Sequence, residues 1–229
     1  MSEIVTLAGG PARVEWRRSA RARRVSLRID PRGGAVVVTL PQRAARTAGM
    51  ALLITNADWV RERLNALPGK ISFADGVAVP LHGAPHRIRH LPGGRGGAWV
   101  EDGEIHVAGD EMFLPRRVAD FLRAEAGRSI SALVAQKADL ARVHPARITL
   151  KDTSSRWGSC AANGNLAFSW RLVMAPRFVQ DYVTAHEVAH LRHMNHGPRF
   201  WALVEQITPH TQPAMRWLRT EGMQLLRVG

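Results

Sequence analysis

Apolar and polar positions change period several times along this 229-residue chain, and each change predicts an element. Val25-Ser26-Leu27-Arg28-Ile29 alternates with period two, Pro31 to Gly34 supplies turn residues, and Ala35 to Leu40 returns, which predicts a β-hairpin. Asn56 stands where a cap would begin a helix carrying Trp59, Val60, Leu64 and Leu67. Asp75-Gly76, His82-Gly83 and Asp102-Gly103 then punctuate short strands as far as Ala108. From Pro115 to about Val143 the pattern turns helical, with Val118, Phe121, Leu122, Ile130 and Leu133 at the apolar positions. Ile148 to Leu150 reads as a short strand, and Asn163-Gly164 as a two-residue hairpin signal between Trp157–Cys160 and Leu166–Trp170. Pro176 suits the first turn of a helix whose apolar side holds Phe178, Val179, Tyr182, Val183 and Val188. Trp201, Val204 and Ile207 predict another helix after Pro198. The sum is an α+β chain with an N-terminal β-rich lobe over 1–110, then a long helix and a second lobe over 111–229.

The helix after Pro176 carries the chemistry. His186-Glu187-Val188-Ala189-His190 puts two imidazoles one turn apart on one helix face, about 6 Å along the axis, with a carboxylate beside the first. With ten histidines in the chain, roughly 0.02 such strings are expected by chance. A lone helical histidine is more often a surface or satisfied core residue, so the joint pattern carries the reading. A Zn²⁺ ion needs a third protein ligand. His193, seven residues after His186, would lie about 10 Å further along a continuing helix, too far to share its ion. His196 is better placed, because Asn195, Gly197 and Pro198 around it end helices and make turns. Glu205, His210 and Glu221 are the other candidates. The expected site is one Zn²⁺ held by His186, His190 and His196, with Glu187 as general base toward a zinc-activated water. The spacing is that of H-E-x-x-H-x-x-G-x-x-H zincins, with His193 in the glycine position.

Arg156-Trp157-Gly158-Ser159-Cys160, Asp181-Tyr182-Val183 leading into His186-Glu187 and His190-Leu191, then Asn195-His196 and Phe200-Trp201, together resemble the YgjP-like metallopeptidase family. That family is similar to the SprT-like and WLM proteases that act on DNA-associated proteins. The resemblance is concentrated in residues 145 to 205, with a looser likeness through Arg17 to Arg28 and around Trp59. It implies a zincin-like catalytic lobe over 111–229 and peptide-bond hydrolysis. Read from the residues, Arg156 or the Trp157–Ser159 backbone lines a substrate cleft under an edge strand that pairs with extended substrate. Against this, Trp157 and Trp170 would be core aromatics, and Gly158 would permit close packing. His193, Arg156 and Arg199 are candidates to stabilise the charged oxygen of the reaction. Cys160 reads as a small buried hydrophobe or a thiol near the metal, and Tyr182 as core packing or a partner of the metal site.

Charge adds a possible partner. The net charge is +13, almost all of it arginine, and Arg13, Arg17, Arg18, Arg21, Arg23, Arg24 and Arg28 cluster in one stretch. Such a cluster points to an anionic partner, nucleic acid first, or else to a solvated strand face. No apolar run approaches a membrane span, Ala48 to Thr55 being too short, and no signal pattern opens the chain. With one cysteine, the expectation is a cytoplasmic protein that does not engage membranes. No internal repeat is visible. The leading reading is a zinc metallopeptidase acting on polypeptides, with nucleic acid contacted through Arg13–Arg28. The rivals are a zinc-dependent nucleotide or phosphoester hydrolase, and a nucleic-acid-binding protein with a structural zinc whose fourth ligand is His193 or Cys160.

Overall fold

The computed structural model describes residues 2–229, which form two compact units that divide after Gly69. The first unit opens with β1 (Ser2–Leu7), β2 (Gly10–Ser19), β3 (Ser26–Asp30) and β4 (Ala35–Pro41), arranged β1-β2-β4-β3. The expected hairpin is present as the antiparallel β3–β4 pair. β4 is apolar without alternation because it is the inner strand, buried on both faces from Ala35 to Val38. Helices α1 (Arg46–Thr55) and α2 (Ala57–Asn65) follow. The apolar run Ala48–Thr55 is the body of α1, an element the polar-apolar pattern did not declare. Gly49 lets α1 lie close on the sheet, since a Cβ there would stand 2.7 Å from Trp16 and 2.9 Å from Leu40. Asn56 does not cap α2 through its side chain; its Nδ2 donates to the Leu52 carbonyl and closes α1 instead.

In the second unit, β5 (Ala78–Leu81), β6 (Ala84–Leu91), β7 (Ala98–Glu101) and β8 (Glu104–Ala108) are arranged β5-β6-β8-β7. Each four-stranded sheet is two hairpins joined by a parallel pair of inner strands, so a topological repeat exists where the residues show none. His82-Gly83 and Asp102-Gly103 make two-residue loops with positive φ at both positions, as hairpin twist requires. The boundary expected near residue 110 falls instead at Gly69. The strands from 78 to 108 bury Val79, Ile88, Ile105 and Val107 in one core with the long helix α3 (Leu114–Ala141), so they belong with the second unit.

A three-stranded sheet follows: β9 (Arg147–Lys151), β10 (Gly158–Cys160) and β11 (Asn165–Ser169), in the order β10-β11-β9. The Asn163-Gly164 hairpin is real, but four residues, Ala161 to Gly164, separate its strands; Asn163 Oδ1 accepts from the Asn165 N–H, and the Ala161 N–H donates to the Asn165 carbonyl. The rest is helical: α4 (Arg177–Ala189), α5 (Pro198–Ile207), α6 (Thr211–Thr220) and α7 (Gly222–Leu225). The fold is α+β, and no helix among the described residues is long and apolar enough to cross a membrane.

α4 is tied in place by a buried ion pair. Lys137 of α3 reaches Asp181 of α4 at 2.5 Å and also donates to the Ile207 carbonyl at the end of α5. Thr208 donates to the second oxygen of Asp181. Three helices therefore converge on one carboxylate.

Candidate metal centre

α4 ends where three histidines gather. His186 lies in its last turn, and His190 is the residue at which the helix stops, still with helical φ and ψ of −64° and −22°. The break comes at His190 rather than near Asn195, and the reason is local. His190 Nδ1 lies 3.0 Å from the His193 carbonyl oxygen, which draws the chain into a tight turn. A carbonyl only accepts, so His190 carries its proton on Nδ1 and leaves Nε2 with a free lone pair. The side chain of His193 does not join the cleft; its backbone does the positioning.

The turn brings His196 back. Its Nε2 faces His186 Nε2 at 3.1 Å. One ligand nitrogen from each of His186, His190 and His196 lies within 4.8 Å of the others, a group able to hold a metal ion. Phe200, fully buried on α5, forms the floor. Its ring centre is 4.9, 4.5 and 4.8 Å from those of His186, His190 and His196. Trp201 flanks His186 and His196 at 6.0 and 5.9 Å.

Burial decides the charge state. Burial first, then the neighbouring His190 and His196, push the His186 imidazolium down to about 4. His190 is lowered too, mainly by burial. Neutral imidazoles are what a metal requires, since a protonated ring has no lone pair to give. Tyr182 Oη, 3.5 Å from His186 Nδ1, orients that ring from behind. Burial, followed by the charge of Glu187, raises the Tyr182 phenol, so it remains protonated.

Glu187 is only 7% exposed, and burial pushes its carboxyl up to about 7, with Arg156 pulling the other way. A Cβ on Gly158 would stand 2.5 Å from Glu187 Cγ and Oε1, so the missing side chain at 158 is what admits the carboxylate. The cleft, of about 320 Å³, is walled by Gly158, Ser159 and Cys160 on one side. Side chains of a strand alternate faces, so three consecutive residues can line a cleft only along the strand's edge. β10 is an outer strand of its sheet, and its residues share the cleft with the histidines.

Of the remaining sequence candidates, Arg156 lines this cleft and Trp157 does not: it packs with the core and lies 3.5 Å from where a Gly222 Cβ would be. Cys160 lines the cleft but stands outside the converging group, and burial raises its thiol. Met194 also lines the cleft; sequence reasoning missed it, because only the turn at His190 carries it there. Glu205, His210 and Glu221 are not in the group. In the first unit, all seven arginines from Arg13 to Arg28 are exposed on β2, β3 and the segment between them. Glu15 pairs with Arg13 and Arg17, and Arg18 donates to the carbonyls of Gln42 and Ala44.

A family model described as YgjP-like, metallopeptidase domain matches residues 23–221. Among solved structures, the metallopeptidase zymogen abylysin of Pyrococcus abyssi is similar at 16% identity, over 41% of this chain and 95% of that one, with a TM-score of 0.37. No curated protein matches the chain.

Proposed function

The chain belongs to the YgjP-like metallopeptidase family, and on that premise we propose that it cleaves polypeptides with one Zn²⁺ held by His186, His190 and His196 and with Glu187 as general base. The observation that carries this is the convergence of three imidazole nitrogens beside one buried carboxyl. All-nitrogen donors of this kind suit Zn²⁺, and three protein ligands leave the fourth position free for water or substrate. Zinc, when bound, supplies Lewis acidity and lowers the pKa of water to about 7.

The chain's own residues do the rest. Glu187 accepts a proton from the attacking water and hands it to the departing amine. A carboxyl pushed up to about 7 suits both tasks, being neither too weak a base nor too weak an acid at neutral pH. The outer edge of β10 holds an extended substrate by backbone hydrogen bonds, as edge strands do for peptides. Arg156, beside Glu187, is our candidate for the group that steadies negative charge on the substrate.

The alternative of a structural zinc calls for four convergent ligands, and His193 and Cys160 stand outside the group of three. Contact with nucleic acid through Arg13–Arg28 is a second part of the proposal, supported by the exposure of all seven arginines. Wild type and Glu187→Gln should be compared for zinc content and for cleavage of an unfolded protein, with and without DNA. Equal zinc with cleavage lost in the variant is the expected result. Zinc in both with cleavage in neither would sink the peptidase mechanism, and indifference to DNA would remove its second part.

A further inference from the structure

A larger groove, of about 760 Å³, lies within the second unit and takes no part in the chemistry above. Its floor is a stripe of α3: Arg117, Phe121, Ala124 and Arg128 recur at helical spacing and place guanidiniums at both ends, about 16 Å apart along the axis. One wall is β7. Four consecutive residues, Gly97 to Val100, line the groove, with Leu81, His82 and His86 of the β5–β6 hairpin also in its lining. β7 is an outer strand of its sheet, and Val100 on it is 41% exposed. The first residue of α4, Arg177, closes the far side.

The charges are unbalanced in a specific way. Both acids at the groove are already engaged. Asp120 pairs with Arg123 at 3.0 Å, while Glu125 holds Arg128 at 2.6 Å and His82 at 3.0 Å. Arg117 and Arg177 have no carboxylate partner among the described residues. Arg117 Nη1 is moreover buried with no hydrogen-bond acceptor at all. That nitrogen packs against Gly109, so the remaining N–H groups of Arg117 are the ones the groove can offer to an anion.

We infer that this groove binds an extended polypeptide segment carrying acidic side chains, which adds as a further strand along the free edge of β7 and sets its carboxylates on Arg117 and Arg177. The three features select this occupant together. The strand edge recognises peptide backbone, the Phe121–Ala124 stretch accepts apolar side chains, and the unpaired arginines demand anions. The groove meets the N-terminal end of α4, nine residues and about 14 Å from His186, so the two sites are separate.

The test is fluorescence anisotropy with a labelled hexapeptide alternating Glu with Leu and Phe, on the full chain bearing Glu187→Gln so that turnover cannot consume the probe. The acidic peptide should bind, a Lys-for-Glu counterpart should not, and the Arg117→Gln/Arg177→Gln pair should weaken binding by about tenfold or more. Val100→Glu, at an exposed position that tolerates charge, should weaken it as well; this arm holds even if the double variant is poorly folded. His190→Ala should leave it unchanged. Equal binding of the two peptides, or no loss in either groove variant, would overturn the proposal. So would loss with His190→Ala alone, which would put the peptide in the metal cleft. Binding of a benzenedicarboxylate as tight as the peptide's would equally overturn it, by showing a pocket for small anions.

Discussion

The metal cleft and the arginine groove stand at opposite ends of α4 and share one wall design, an outer strand turned edge-on: β10 in the first, β7 in the second. What differs is the fate of their ionisable groups. In the cleft, burial has suppressed charge, lowering His186 and His190 and leaving a carboxyl that is half protonated near pH 7. In the groove arginines outnumber acids, both acids are already paired, and Arg117 and Arg177 lack carboxylate partners among the described residues. The same backbone device therefore serves opposite purposes. A site that must gather a metal and move protons is desolvated, whereas a site that only recognises charge keeps it.

The largest expected effect separates the two regions outright. Glu187→Gln should lower turnover by about 10²- to 10⁴-fold, the usual worth of a general base, with zinc content and groove binding intact. Metal analysis alongside steady-state kinetics checks this, and a variant that lost its zinc would show a structural rather than a chemical role. Lys137→Met should instead harm both regions at once. It strands Asp181, the carboxylate on which α3, α4 and the end of α5 converge, and loss of one partner of a buried pair costs about 3–5 kcal/mol. Urea denaturation measures it; a cost below about 1 kcal/mol would mean the two sites do not depend on this tie.

Gly158→Ala tests the cleft's wall alone. The new Cβ must displace Glu187, and misplacing a catalytic group by about 1 Å costs roughly 10² in rate. Folding should suffer little, because the atoms in the way belong to a side chain that can move. Full activity in this variant would contradict the fit between β10 and Glu187.

The smallest effect is a difference in pH response. Glu187 ionises in the fold near 7, against an ordinary 4.5, so its stabilising contribution is complete below about 4.5 and lost as pH rises through about 7. In metal-free protein, the melting temperature of Glu187→Gln relative to wild type should therefore climb across that interval. Glu125 behaves oppositely. Burial raises its pKa, but hydrogen bonds from Arg128 and His82 outweigh that and lower it. Its contribution is present above the ordinary carboxylate range and lost on acidification, so Glu125→Gln should flatten the acid side of the curve. Parallel slopes in the two variants would erase the contrast drawn between the regions.

Much of the architecture was legible because it is local. Spacing alone marked α3 and α4, and Gly after His82 or Asp102 marked hairpins, since few residues accept the φ that these loops demand. α1 escaped because its sequence, with Gly49 at its centre, has no polar face to set a period; the sheet beneath explains that glycine. The boundary near 110 was misjudged for a similar reason. Whether strands 78–108 belong before or after depends on which helix covers them, and no local pattern records that.

The site divides along the same line. By itself the sequence marked the candidate groups: the histidine pair, the glutamate between them, and Arg156, Gly158 and Ser159 at and just before a neighbouring strand, because helical and strand periods are properties of the backbone. Tertiary structure decided what those residues became. The turn closed by His190 on the His193 carbonyl brought His196 to the others and sent the His193 side chain away, and the core claimed Trp157. Burial lowered His186 and His190 and raised Glu187, which depends on how much water is excluded and not on which residue is adjacent in the chain. The arginine groove belongs wholly to this second category, for it joins a helix face, a strand edge and a helix start that only packing brings together.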